Sequence, residues 1–257
     1  MLPSPPFLTL SGVSNIRDVG GLELSTPHGM IRKGLIYRAA APSQSSFAAL
    51  REIGITAVFD LRSQGEAARL PLASQDGVEY FLVPVFNDKD WSPEAMTIRW
   101  ARTMRGDMVT GYRDILVAGG PSFGKIYKRL LDSEEGLLVH CSAGKDRTGV
   151  VVAVLLALAG VDDQDIAQEY ALTTLAMRAM SVVLEKRIMA SEAVQKLDES
   201  TRLEGVRNML SSEPETIVAL LNILRAEWGS VDEYVMKACG MEKGEVDSLK
   251  EKLMAKL

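Results

Sequence analysis

The chain has 257 residues, a net charge of −5, two cysteines and two histidines. This length fits one domain spanning 1–257 better than two and can bury a sizeable core, and the negative balance argues against a nucleic-acid partner. Cys141 and Cys239 make no disulfide framework and fit a reducing, cytoplasmic compartment; without a Cys/His cluster, neither a zinc site nor any other metal or cofactor is expected.

Residues 1–14 are a proline-containing entry without the charged start and long apolar core of a secretory leader. Alternating apolar residues follow around Met30 to Tyr37. Ser43 reads as the N-cap of a helix through Ile53 that Gly54 ends. Ile55 to Leu61 reads as a buried strand and Tyr80 to Val85 as the next. Pro93 to Val117 and Ser122 to Leu131 read as two helices, and the cluster Lys125, Lys128, Arg129 as a solvated face of the second. Leu137 to Val139 is a further strand. From Asp162 onward the pattern is helical throughout. Strands alternating with helices predict an α/β sheet with helices on both faces and a helical C-terminal extension. Any ligand then belongs at the C-terminal ends of the strands. The longest apolar run, Val150 to Val161, is too short for a transmembrane segment.

One segment carries chemistry: His140-Cys141-Ser142-Ala143-Gly144-Lys145-Asp146-Arg147-Thr148-Gly149. It lies between the apolar run Gly136–Val139 and a long apolar stretch from Val150, which predicts strand, tight turn and helix N-terminus. Amides at such a turn, aided by the helix dipole, bind a tetrahedral oxyanion. Arg147 adds a planar fork for two phosphate oxygens, a geometry lysine cannot match. The same field favours the thiolate of Cys141. Together these residues point to phosphoryl transfer to sulfur and then to water. Thr148 is placed to donate to the sulfur as it leaves, and His140 to bond loop backbone and fix its shape. Ser142, Ala143, Gly144 and Lys145 form the substrate cradle. Lys145 is followed by aspartate, not serine or threonine, so the segment is not a Walker A loop.

This segment resembles the signature of the cysteine-dependent protein tyrosine phosphatase superfamily. The form Cys-x-Ala-Gly-Lys-Asp-Arg-Thr is similar to that of its bacterial and fungal branch, whose members act on phosphotyrosine, sometimes phosphoserine, and phosphoinositides. Asn15-Ile16-Arg17-Asp18-Val19-Gly20-Gly21, Tyr37-Arg38-Ala39-Ala40 and Phe59-Asp60-Leu61-Arg62-Ser63 with Glu66 resemble further elements of that branch, in its order. The tail from Gly229 to 257 resembles its C-terminal helices. The resemblance covers essentially the whole chain and implies a phosphatase-like central sheet flanked by helices. It also implies an active-site role for Lys145 and a helical lid over about 174–210. Ordinary amphipathic packing explains that methionine-rich stretch (Met177, Met180, Met189, Met209) equally well.

The general acid is open among three positions. Asp146 lies in the loop, and the resemblance favours it. Asp88 or Asp90 follows the strand Tyr80–Val85, where the wider superfamily keeps a mobile aspartate. Asp60 ends a strand, but an ion pair with Arg62 or a loop lysine suits it better. Asn15, Arg17 and Asp18 are expected to support the loop through side-chain hydrogen bonds. Trp91 and Trp100 fit core packing better than a site border, and Cys239 fits packing alone.

The expected function is metal-independent phosphomonoester hydrolysis, of phosphotyrosine proteins with dual reach to serine and threonine. A phosphoinositide phosphatase is the alternative, weakened because Ser142 stands where lipid phosphatases usually carry a second lysine. A phosphate-binding pseudo-enzyme is disfavoured by the full set of Cys141, Arg147 and Thr148, and a sulfurtransferase by the Lys-Asp-Arg-Thr-Gly run.

Overall fold

A computed structural model of the chain describes residues 2, 4–25, 29–87, 102, 106–190, 192–195 and 198–255. A five-stranded sheet forms its centre. The strands are β1 (Arg17–Asp18), β4 (Ile36–Ala40), β7 (Gly136–Cys141), β5 (Ile55–Asp60) and β6 (Glu79–Leu82), in that spatial order. β1 runs antiparallel to β4, and the other pairings are parallel. A two-stranded hairpin of β2 (Glu23–Leu24) and β3 (Gly29–Met30) lies apart. In register, Ala40 pairs with Cys141 and Asp60 with His140, so three parallel strands end at one edge. The sheet is thus mixed α/β and mostly parallel, as its alternating pattern predicts.

Central strands of a parallel sheet are buried on both faces, and alternate residues face opposite sides. Leu137, Val139 and Cys141 of β7 join the main core with Ala57 and Phe59 of β5. Leu138 and Val58 join a second cluster beneath α1 (Phe47–Glu52), with Phe47 and Leu50. The same alternation places His140 and Asp60 on the face opposite Cys141.

The main core lies under α3 (Met108–Asp132), α4 (Asp146–Ala159), α8 (Pro214–Trp228), α9 (Val231–Lys237) and α10 (Lys243–Leu253). α4 is buried on nearly every side, as its unbroken apolar run demands. α2 (Gln64–Arg69) follows β5, capped by a reciprocal Ser63–Glu66 box. α5 (Asp163–Met189), α6 (Glu192–Gln195) and α7 (Glu199–Leu210) complete the C-terminal half. Among the described residues no helix is long and apolar enough to cross a membrane.

Two expectations need correction. Ser43 sits at a helix entry, but it opens a 3-10 turn (Gln44–Ser46) ahead of α1 and makes no side-chain cap. The two helices expected on either side of Ala118–Pro121 are one: α3 starts at Met108, where Asp107 accepts from the Thr110 amide, and runs through Pro121 to Asp132. An interior proline costs about 3 kcal/mol. Burial of Phe123, Ile126, Tyr127 and Leu130 beyond it offsets that, at about 1.5–3 kcal/mol per large apolar side chain. Gly120 and Gly124 let α3 touch the chain after α9: an added Cβ would stand 2.4 Å from Ala238 O and 2.0 Å from Cys239 O. The methionine-rich stretch divides. Met177 is buried, while Met189 and Met209 pack on a small separate cluster with Val194 and Val206. The start of the first expected helix, Asp88, Asp90, Trp91 and Trp100 lie outside the described residues.

Candidate active site

Cys141 ends β7 and is buried, and the turn Ser142–Lys145 leads into α4 at Asp146. The carbonyls of this turn are tied behind it. Ser142 O accepts from the Ala41 amide at 3.3 Å. Ala143 O accepts from Asn15 Nδ2 at 3.2 Å, and Gly144 O accepts from Arg38 Nη2 at 2.9 Å. In a planar trans peptide each N–H points opposite the preceding carbonyl. The amides of Ala143, Gly144 and Lys145 therefore turn to the other side, joining the unpaired amides that open α4. The result is a row of donors beside Cys141, suited to an oxyanion. Gly144 is needed here: its φ is +68°, and a Cβ would lie 2.3 Å from Ala39 O.

A buried polar group holds the turn from behind. Glu169 of α5 accepts from Arg17 Nε at 2.7 Å and from Arg38 Nη1 at 2.6 Å. Arg17 also donates to Asn15 Oδ1 at 2.5 Å and to Thr173 Oγ1 at 2.9 Å. Burial pushes the Glu169 carboxyl up, but Arg17 and Arg38 more than offset it and hold it below its ordinary value. Asn15 thus touches the turn directly and Arg17 acts through it. Asp18 does not support the loop: its carboxylate accepts from the Gly20 and Gly34 amides and locks a remote turn.

Arg147 lies in the first turn of α4 and meets Glu66 in a fork, at 2.6 Å and 3.0 Å. Glu66 also accepts from Ser142 Oγ at 2.8 Å. Burial raises the Glu66 carboxyl, and Arg147 brings it back below its ordinary value. Burial alone lowers Arg147, but Glu66 and Cys141 raise it above its ordinary value. One carboxylate therefore fixes both the guanidinium and the loop serine.

Lys145 is buried and donates to Met209 O at 2.8 Å and Ser211 O at 2.9 Å, at the C-terminal end of α7. Asp146 stands 3.6 Å from the Lys145 ammonium and accepts from Tyr112 Oη at 2.6 Å. Thr148 Oγ1 is buried without a hydrogen-bond partner among the described residues. His140 Nδ1 lies 3.2 Å from Cys141 O, and burial pushes the imidazole below its ordinary value, despite Asp60 3.8 Å from Nε2. Asp60 is fully buried, paired with Arg62 at 2.7 Å and accepting from Tyr80 Oη at 2.9 Å. Its carboxylate is committed on the face away from Cys141. The other cysteine, Cys239, has its thiol pushed up to about 12 by burial. Among the described residues no group of three or more His, Cys, Asp or Glu is placed to hold a metal.

Sequence reasoning missed Glu169, Tyr112 and Tyr170, and gave Glu66 and Arg38 no role. Arg38 did carry a signal, because an arginine inside Ile36–Ala40 requires a buried counter-charge. Glu66 carried the capping box. Glu169 lies in an unremarkable helical stretch, and its partners stand 152 and 131 residues away.

The profile of the tyrosine phosphatase family matches residues 8–255. A Cupriavidus necator protein assigned, without established activity, as a tyrosine-protein phosphatase is 29% identical over 90% of this chain and 83% of its own. A tyrosine-protein phosphatase of Nostoc commune is 25% identical over 80% of this chain and 68% of its own. The triple specificity protein phosphatase PtpB of Mycobacterium tuberculosis is 27% identical over 94% of this chain and 96% of its own. With its match running from the first strand region to the last helix, the chain belongs to the tyrosine phosphatase family and is a phosphoric-monoester hydrolase of that type.

Proposed function

We propose that the chain hydrolyses phosphomonoesters without a metal through a cysteinyl phosphate, on phosphotyrosine proteins with dual reach to phosphoserine and phosphothreonine. The observation that carries this reading is the turn whose carbonyls are tied back by Ala41, Asn15 and Arg38, which aims its amides to the side of Cys141 and Arg147.

In the first step the Cys141 thiolate attacks phosphorus. The S–P bond forms, the P–O bond breaks, and the leaving oxygen takes a proton from Asp146. The loop amides and Arg147, aimed by Glu66, hold the phosphoryl oxygens. In the second step water attacks phosphorus, Asp146 takes its proton and the sulfur leaves with its electron pair. The hydroxyl of Thr148, buried without a partner among the described residues, supports a role as donor to that sulfur. Lys145, in the substrate loop, also holds Met209 O and Ser211 O at the end of α7, a link between loop and helix that supports residues 174–210 as a lid. One cluster of buried side chains from Val19 to Leu253 supports a single phosphatase domain over 1–257. Both cysteines are unpaired, which fits the reducing cytoplasm.

A phosphoinositide phosphatase is the second reading. The name of the Mycobacterium relative claims three specificities, and Lys145 lies in the loop. Against it, Ser142 is neutral and engaged with Glu66. The test is phosphate release, with chelator present, from phosphotyrosine peptide, phosphoserine peptide and phosphoinositide. Wild type turns over, Cys141→Ser loses at least about 10³-fold, and phosphotyrosine ranks first. Equal turnover by Cys141→Ser overturns the cysteine mechanism, and a first rank for phosphoinositide overturns the substrate class.

A further inference from the structure

We propose that Tyr112, backed by Tyr170, is a positioning residue that holds Asp146 in the orientation from which it exchanges its proton. This rests on the reading of Asp146 as the general acid.

Separate helices bring the groups together: Tyr112 from α3, Tyr170 from α5 and Asp146 from the first turn of α4. Tyr112 Oη lies 2.6 Å from Asp146 Oδ1 and 2.5 Å from Tyr170 Oη. A phenol has one proton to give, and an ionised carboxylate only accepts. The chain therefore runs one way, from Tyr170 to Tyr112 and from Tyr112 to Oδ1. Burial, reinforced by the Asp146 charge, pushes both phenols above their ordinary values, so they stay neutral donors.

This direction suits both protonation states. With the transferable proton on Oδ2, Oδ1 is a carbonyl oxygen and still accepts from Tyr112. Once Oδ2 has given its proton to the leaving oxygen, Oδ1 accepts again. The pin does not break between the acid and base steps, so the carboxyl need not reorient. Asp146 is 40% exposed at its side chain and would otherwise rotate or turn to the Lys145 ammonium 3.6 Å away.

A residue of the loop motif supports the same arrangement from another direction. A Cβ at Gly149 would stand 2.9 Å from the ring of Tyr170, which packs edge-on against Tyr112 with centroids 6.1 Å apart. The glycine after Thr148 therefore makes room for the ring that backs the pin.

The test is a double-mutant cycle of Tyr112→Phe and Asp146→Asn, with kcat read on phenyl phosphate and on p-nitrophenyl phosphate. Asp146→Asn is expected to slow the poor leaving group selectively, by about 10²-fold. Tyr112→Phe should slow phenyl phosphate about 10-fold and p-nitrophenyl phosphate under about 2-fold, and add nothing in the Asp146→Asn background. Equal losses on both substrates, or losses that multiply in the double variant, overturn the pin. If Tyr112→Phe fails to fold, Tyr170→Phe serves: it keeps the pin but removes its backing donor, and about a 3-fold selective loss is expected. Non-selective loss there overturns the proposal equally. Should Asp146→Asn itself be non-selective, the acid assignment falls and the pin with it. Should Asp146→Asn be selective and Tyr112→Phe not, only the pin falls.

Discussion

The catalytic turn is held in two different ways, and the contrast separates what must be rigid from what must move. Behind it, Glu169, Arg17, Arg38 and Asn15 form a buried, charge-assisted lattice that ends on the carbonyls of Ala143 and Gly144. In front, Lys145 fastens α7 to the turn through two main-chain oxygens. Fixed amides are pre-organised for charge that develops in the transition state, so the rear lattice cannot yield without loss of rate. A lysine on a flexible stem can release two carbonyls at small cost, so the front can yield.

The largest expected effect comes from breaking the rear lattice. Glu169→Gln removes the counter-charge of two fully buried arginines. Loss of one partner from a buried pair costs about 3–5 kcal/mol, which at this size lowers Tm by roughly 10 °C. Because the loop carbonyls lose their anchor, kcat should fall with it. A variant that melts with wild type would show that the lattice does not hold the turn.

Acid sharpens the same point. The Glu169 carboxyl is held below its ordinary value of 4.5. Its contribution is therefore fully present above that value and is lost as pH falls through the lower folded value. The Tm gap between wild type and Glu169→Gln should stay constant from pH 7 to about 5 and close on further acidification. A gap that widens as pH falls would assign the effect to another group.

How much of this was legible beforehand follows from range. The nucleophile, the arginine, the turn glycine and the start of the helix behind them lie within ten consecutive residues, where local pattern and local structure agree. Asn15 and Arg17 stood out in a segment with a motif of its own. Glu169, Tyr112 and Tyr170 sit in ordinary helical sequence, and only the packing of α3, α4 and α5 gives them partners. Asp60 shows how far local reading reaches: Arg62, two residues on, is the ion-pair partner its sequence favours, and alternation along β5 turns the carboxylate to that face, away from Cys141. Pro121 misled for a second reason. Local propensity favours a break there, but burial beyond the proline and the close approach of Gly120 and Gly124 to Ala238 and Cys239 keep α3 whole.

The smallest effect tests the front fastening. Lys145→Met keeps the apolar stem and removes the ammonium from Met209 O and Ser211 O. Both oxygens lie at the end of a helix, where water can replace the donor, and the variant no longer buries a charge. A cost of about 1 kcal/mol, or roughly 2–4 °C in Tm, is expected. Hydrogen exchange distinguishes this from a general loosening. Amides of 199–212 should exchange faster while those of β7 and α4 keep wild-type protection, because Glu169 still holds the turn from behind. Faster exchange in β7 and α4 as well would mean that front and rear open as one unit. The loop would then be held by a single cooperative structure, and a lid that moves independently of the catalytic turn would have no physical basis.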